Sequence, residues 1–250
     1  MAVQRWNELT DDPNSDLSRD LRRKTIQTAW REPVESRMKY LAGIVAGKRV
    51  LDVGVVGHVV DLHAEGGWMH GAIVKSAGSC LGVDILPEAI AELKARGFNV
   101  MLRDITAEPL DETFDVIVCG EVIEHLGAPA GLFKAAAKML APGGRLVLTT
   151  PNPYSDSNVR DSFHNVFDES VDHVTLLVPS GIAELAEREG LTLDAYRGVS
   201  GGRLRKLRNR LRYAWIKRRY GGPATDRFSR RMIYECVKNI DMPLKSSAPE

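Results

Sequence analysis

A short run of strand-forming residues ending in two closely spaced glycines constrains this chain more than any other feature. The run is Arg49-Val-Leu-Asp-Val-Gly-Val-Val-Gly-His58. A strand that stops at Gly-x-x-Gly turns so that backbone N–H groups can approach a bound ligand, because glycine has no Cβ to hold them off. Gly54 and Gly57 are therefore candidate ligand contacts, with Asp52 on the strand and His58 after the turn. Alone the pattern is weak. It gains weight from three later segments in order: Gly82-Val-Asp84 after a second apolar run, Arg103-Asp104 after a third, and Phe114-Asp-Val-Ile-Val-Cys-Gly-Glu121 at a fourth.

Strand patterns are expected at residues 48–53, 79–83, 99–102, 114–119, 145–150, 191–199 and 231–237. Helices are expected at 21–46 with a break before Pro33, at 71–77, from Pro87 to Gly97, at 128–140 and at 179–189. This alternation implies a Rossmann-like, doubly wound, seven-stranded and mostly parallel sheet with helices on both faces. In the first helical stretch Val34, Met38, Leu41 and Val45 recur at helical spacing, which predicts a helix packed over one sheet edge rather than a substrate lid. Residues 151–178 show little periodicity and read as loop. The parts are then an N-terminal helical segment (1–46), a core (47–200), a basic helix (201–222) and a last strand with its tail (223–250).

Asp84 falls at the carboxyl end of the second strand, where an acidic side chain can accept both hydroxyls of a ribose. It stands thirty residues past Gly54, whereas about 20 is usual in such folds. The excess brings His58, His63, Trp68 and His70 close in sequence, either as a pocket wall or as solvated loop residues. Their spacing matches no standard zinc pattern.

The net charge of +1 points to no partner, but the charge is unevenly spread. No Asp or Glu occurs between Asp194 and Asp226, and residues 203–219 form a basic amphipathic helix with Leu204, Leu207, Leu211 and Trp215 in one stripe. Such a helix either docks on the domain or faces a polyanion, a phosphorylated substrate or a membrane surface. Three cysteines without Cys-x-x-Cys spacing, a polar N-terminus and no apolar run near the ~20 residues of a membrane span predict a reduced, cytoplasmic protein.

Together these motifs resemble the class I S-adenosylmethionine-dependent methyltransferases over roughly residues 45–200. The resemblance is carried by Val50-Leu-Asp-Val-Gly54, Gly82-Val-Asp84, Asp104, Phe114-Asp-Val-Ile-Val118, Glu121-Val-Ile-Glu-His-Leu126 and Leu140-Ala-Pro-Gly-Gly-Arg-Leu146. It implies that Asp52, Gly54 and Gly57 face the methionine part of the cofactor, Asp84 the ribose, and Asp104 with Ile105 the adenine, with His58, Ile85 and Glu121 as further cofactor contacts. The chain departs from the family's Gly-x-Gly-x-Gly at Val56 and His58, which changes the path of the loop. A dehydrogenase explains the glycine turn, but neither Glu-Val-Ile-Glu-His nor the Pro-Gly-Gly turn.

Methyl transfer needs in-line placement and a deprotonated acceptor. A hydroxyl must therefore lose its proton to a base or beside a metal. On a helical turn Glu121, Glu124 and His125 would share a face, and two carboxylates with an imidazole can hold a divalent cation. The set resembles ubiquinone-pathway O-methyltransferases and small-RNA 3′-terminal 2′-O-methyltransferases. That resemblance implies Glu121, Glu124, His125 and His173 as ligands of Mg or another divalent cation, with His125, His173 and Glu121 catalytic. Without a metal, His125 is the base or a structural hydrogen-bond partner. The leading expectation is O-methylation of a saccharide or other polyhydroxylated small molecule, free or carried on a phosphate or lipid. The rivals are 2′-O-methylation of an RNA end and a catalytically silent binding module.

Overall fold

Near-continuous apolar runs in the central strands place two hydrophobic faces on one sheet. A computed structural model describes residues 5–57, 67–164, 166, 170–220 and 227–239. The strands are β1 (Arg49–Val53), β2 (Ser79–Asp84), β3 (Val100–Leu102), β4 (Phe114–Gly120), β5 (Leu140–Pro151), β6 (Leu191–Val199) and β7 (Arg231–Lys238). Their order is β3-β2-β1-β4-β5-β7-β6, parallel except that β7 runs against both β5 and β6. The order reverses between β1 and β4, so a crevice opens beyond the carboxyl ends of these two strands. Because β7 is antiparallel, its first residue, Arg231, pairs with Pro151 at the carboxyl end of β5 and joins the same rim.

The helices are α1 (Asp16–Ala29), α2 (Arg37–Val45), α3 (Met69–Ser76), α4 (Pro87–Ala95), α5 (Ala130–Met139), α6 (Asp156–Ser162), α7 (Pro179–Arg188) and α8 (Leu207–Tyr220). The two-residue period of a strand divides the core. Leu51, Ile117, Cys119, Leu146 and Leu148 pack with α5 and α7 on one face. Val50, Val116, Val118 and Val147 pack with Leu41 and Val45 of α2 and Ile73 of α3 on the other. Serine caps start α1 and α2: Ser15 accepts from the Ser18 N–H and Ser36 from the Lys39 N–H. Cys80, Cys119 and Cys236 are free thiols.

Four sequence expectations change. Residues 30–36 are extended, not helical, because Pro33 disfavours helical backbone at Glu32. Val34 leaves the expected helical stripe and forms a parallel bridge with Val199, as Trp30 does with Tyr196, on the outer edge of β6. Residues 151–178 are not all loop: α6 lies within them, capped by Ser155, and its seven residues are too few to show a period. The strand expected at 145–150 already begins at Leu140, with a register shift between Phe114 and Val116 on β4.

The fourth change concerns α8. Its docked side is largely polar: Tyr213 and Lys217 reach Glu32, Arg212 reaches Asp156, and Ile216 is buried. The stripe of Leu207, Leu211 and Trp215 faces outward, 67%, 63% and 60% exposed. Among the described residues no helix is long and apolar enough to cross a membrane.

Under α2, the buried carboxylate of Glu235 accepts from the Tyr40 hydroxyl and pairs with Arg145 and Arg197. The Arg197 guanidinium also lies 4.4 Å from the centre of the Tyr40 ring. Tyr40→Phe keeps the ring and removes one donor to a buried charge. It should lower stability by about 1–3 kcal/mol, read from urea unfolding midpoints; an unchanged midpoint would mean that the two arginines satisfy Glu235 without it.

Candidate active site

The cofactor end of the crevice begins where β1 stops. Gly54 has φ +76°, and a Cβ there would lie 2.2 Å from a Val122 methyl. Only glycine suits both the turn and this close approach. The Val56 N–H then donates to Asp84 Oδ2 at 2.9 Å, while Asp84 Oδ1 accepts from the N–H groups of Ile85 and Leu86 at 2.8 and 3.2 Å. Three backbone donors thus fix the carboxylate at the end of β2 and tie it to the glycine turn. Val56, where the family has glycine, is partly buried against a cluster of Val55, Ile90, Leu93 and Val100 with Trp68 and Phe98. The departure from the glycine pattern is absorbed by this packing. Gly57 is exposed, and His58 and His63 lie outside the described residues.

Ile85 and Leu102, at the ends of β2 and β3, are 66% and 48% exposed. Exposed apolar side chains flanking a fixed carboxylate suit a nucleoside, with apolar surface for the base and acceptors for the diol. Asp104 accepts from the N–H and hydroxyl of Thr106 at 2.9 and 2.6 Å. These bonds, the hydroxyl's first, hold its carboxyl below the usual carboxylate range. The Ile105 side chain is buried in the main core, which leaves its backbone as the part able to face a ligand.

Asp52 lies beneath the turn, 1% exposed, with Oδ2 2.8 Å from His70 Nδ1. Burial raises its carboxyl above the ordinary value, against the lowering effect of the His70 hydrogen bond. His70 is therefore not a solvated loop residue. His70 is buried against Trp68 and Phe98, and the Trp68 indole N–H donates to the Val55 carbonyl at 2.8 Å, bracing the turn from below.

At the other end of the crevice, Glu121 follows β4 with φ +58°, the only positive φ at a non-glycine position among the described residues. Its carboxylate accepts from the Thr149 hydroxyl at 2.8 Å and pairs with Arg37 at 2.8 Å and Arg231 at 2.6 Å. The chain then forms a short 3-10 turn at Ile123–His125 rather than an α-helix. The expected shared face is not formed. Glu124, His125 and His173 offer ligand atoms within 4.8 Å of one another; Glu121 stands outside that set, its oxygens engaged by two guanidiniums and a hydroxyl.

Backbone bonds bring His173 in. The N–H groups of Val174 and Thr175 donate to the Glu124 carbonyl at 2.9 and 3.0 Å. His173 packs edge-on to His125 with ring centres 4.9 Å apart, and His125 Nδ1 is 3.2 Å from Asp172 Oδ2. Glu124 is 1% exposed; Oε2 accepts from the Thr150 hydroxyl at 3.1 Å, and Oε1 has no hydrogen-bond partner. Burial first, then the nearby Glu121 charge, push its carboxyl up to about 7.

Glu121, Glu124 and His173 line a cleft of about 410 Å³ with Asn158 and Arg160 of α6 and Arg231 of β7, and His125 stands behind it in ring contact with His173. Sequence reasoning missed Asp172, Arg37 and Arg231. The Asp-His pair at 172–173 was a usable cue for the first; the arginines are brought in by long-range topology and left none.

The family described as a methyltransferase domain matches residues 22–196. A ubiquinone biosynthesis O-methyltransferase of Pseudomonas fluorescens (strain Pf0-1) is 36% identical over 116 residues, 43% of this chain and 46% of the relative. That of Pseudomonas putida (strain W619) is 38% identical over the same shares. The chain thus matches less than half the length of these relatives. Among solved structures, magnesium protoporphyrin IX methyltransferase from Synechocystis PCC 6803 with bound SAH is similar over 94% of this chain and 93% of its own, with a TM-score of 0.54 and 16% identity. An S-adenosylmethionine-dependent methyltransferase from Mesorhizobium loti matches with a TM-score of 0.51 and 15% identity, over 80% of this chain and 95% of its own. At these identities the structures speak for the fold alone. With the matched domain, the strand order and the glycine turn tied to Asp84, the chain belongs to the methyltransferase-domain family, as a class I S-adenosylmethionine-dependent methyltransferase.

Proposed function

We propose that this enzyme methylates a hydroxyl of a saccharide or other polyhydroxylated small molecule. The observation that carries the reading is the lining of the acceptor cleft. It presents serines, Asn158, Arg160, Arg231, His173 and carboxylates, and no Phe, Tyr or Trp among the described lining residues. A polyol is held by hydrogen bonds to such groups, whereas a flat aromatic acceptor gains from ring faces that this cleft does not offer. The matched relatives, named as O-methyltransferases, support oxygen as the accepting atom.

When bound, S-adenosylmethionine supplies an electrophilic methyl on a sulfonium. Asp84 fixes the ribose through its anchored carboxylate. Asp172 accepts from His125 Nδ1–H and so leaves Nε2 with the lone pair. That nitrogen takes the proton of the acceptor hydroxyl as its oxygen bonds to the methyl carbon. Arg160 of α6 and Arg231 of β7 orient the acceptor. A divalent cation fits Glu124, His125 and His173 by the chemistry of the donors, one carboxylate and two imidazoles. The partnerless Glu124 Oε1 favours this second reading. Such a cation would lower the pKa of the accepting hydroxyl.

His125→Ala should lower turnover by about a hundred- to ten-thousand-fold and leave S-adenosylmethionine affinity by calorimetry within about twofold. Loss of cofactor binding instead would make His125 a structural residue. Full wild-type activity in excess chelator would remove the cation from the account.

Glu124 also gives stability a pH dependence. Its carboxyl titrates near 7 in the fold and near 4.5 when free, so the folded chain holds a proton that the unfolded chain has lost between those values. Stability should therefore fall as pH rises from about 4.5 to about 7, by on the order of 3 kcal/mol, and level off above. In metal-free buffer Glu124→Gln should flatten this slope in urea titrations; a slope that survives the substitution belongs to other groups.

A further inference from the structure

A second cleft of about 310 Å³ adjoins the first, between α6, the start of α8 and the segment leading into β7. Ser157, Arg160 and Arg230 line both, so the two are neighbours across these side chains. Arg160, itself paired with Asp161 at 3.1 Å, lines the second with Arg203, Lys206, Arg208, Arg212 and Arg230, and the one carboxylate among its described lining residues is Asp156. That carboxylate is already paired with Arg212 at 3.2 Å and Arg227 at 3.0 Å. Among the described residues no carboxylate pairs with Lys206, Arg208 or Arg230. The sequence explains the imbalance, since residues 195–225 contain no Asp or Glu to answer these cations.

Arg160 and Arg212 have carboxylate partners, whereas Arg203, Lys206, Arg208 and Arg230 gather on one concave surface with none among the described residues, and their mutual repulsion is relieved when an anion enters. Guanidinium forks match phosphate oxygens in pairs, and a lysine adds a compact charge. We propose that this cleft is a phosphate-binding subsite, and that the enzyme's acceptor carries a phosphoryl or diphosphoryl group seated there while its hydroxyl lies at His125. The inference rests on the hydroxyl-acceptor reading for the second half of that statement only. The phosphate is attached either to a soluble molecule or to a lipid. The exposed stripe of Leu207, Leu211 and Trp215 is adjacent in sequence to Arg208 and Arg212, and offers a hydrocarbon chain a place beside the cleft.

Calorimetry with inorganic pyrophosphate on the full chain at low salt tests the subsite. Binding is expected, weakened tenfold or more in the double variant Lys206→Gln with Arg208→Gln and weakened by added salt. S-adenosylmethionine affinity should stay unchanged, which reports that the variant is folded. Equal pyrophosphate binding by both proteins, or none by either, overturns the proposal. So does tight binding of single-stranded RNA without any pyrophosphate binding. Phosphatidylglycerol vesicles distinguish the sources. Co-sedimentation that pyrophosphate competes away and that Leu211→Glu with Trp215→Glu abolishes assigns the phosphate to a lipid carrier. Pyrophosphate binding with no vesicle binding assigns it to a soluble acceptor. Methyl transfer to a neutral polyol with no pyrophosphate binding sinks the subsite alone. Variant-sensitive pyrophosphate binding with no hydroxyl methylation sinks the hydroxyl reading and leaves the subsite standing.

Discussion

Two guanidinium groups converge on one carboxylate, and the acceptor half of the crevice is assembled around that contact. Glu121 receives Arg37 from α2, Arg231 from β7 and the Thr149 hydroxyl from β5, so four separate elements meet at one side chain. Its left-handed backbone costs about 1–2 kcal/mol. Charge-assisted hydrogen bonds of this kind contribute more than that together. The conformation matters because it decides where the chain goes next. It bends β4 into the 3-10 turn that carries Glu124 and His125, and that turn's carbonyl then captures the loop bearing Asp172 and His173.

The crevice is divided by polarity. Around Asp84 the exposed side chains are apolar, with Ile85 and Leu102 uncovered. From Glu121 onward they are charged, and the charge grows more positive toward α6 and α8. One end suits a nucleoside and the other a polar, anionic molecule, with Glu124 and His125 between them. The raised carboxyl of Glu124 reports the same boundary, a buried acid beside another carboxylate at the edge of a solvated cleft.

What the sequence made legible was local. The central strands could be read because short apolar runs ended at glycine, proline or an acid, and Asp84 could be placed because it closes such a strand. Gly54 was readable for the same reason. Contacts between distant segments were not. Nothing near Arg37 or Arg231 marks them as partners of Glu121, some 84 and 110 residues away. His70 looked like one of several loop histidines, yet a buried bond to Asp52 fixes it in the core. The basic helix was found by its composition, but which side it docks depends on Glu32 and Asp156, acids supplied by remote parts of the chain.

The extended stretch after α1 has a consequence of its own. The N–H groups of Arg31 and Val34 donate to β6 carbonyls at 2.9 Å each, and the Val34 carbonyl accepts from Ser200 at 2.8 Å, so the last strand of the sheet finds its neighbour within its own chain. A bare outermost strand invites strands from other molecules. Residues 30–34 thus act as a selvedge along the outer edge of β6, and trimming them away would leave that edge open to strands of other molecules.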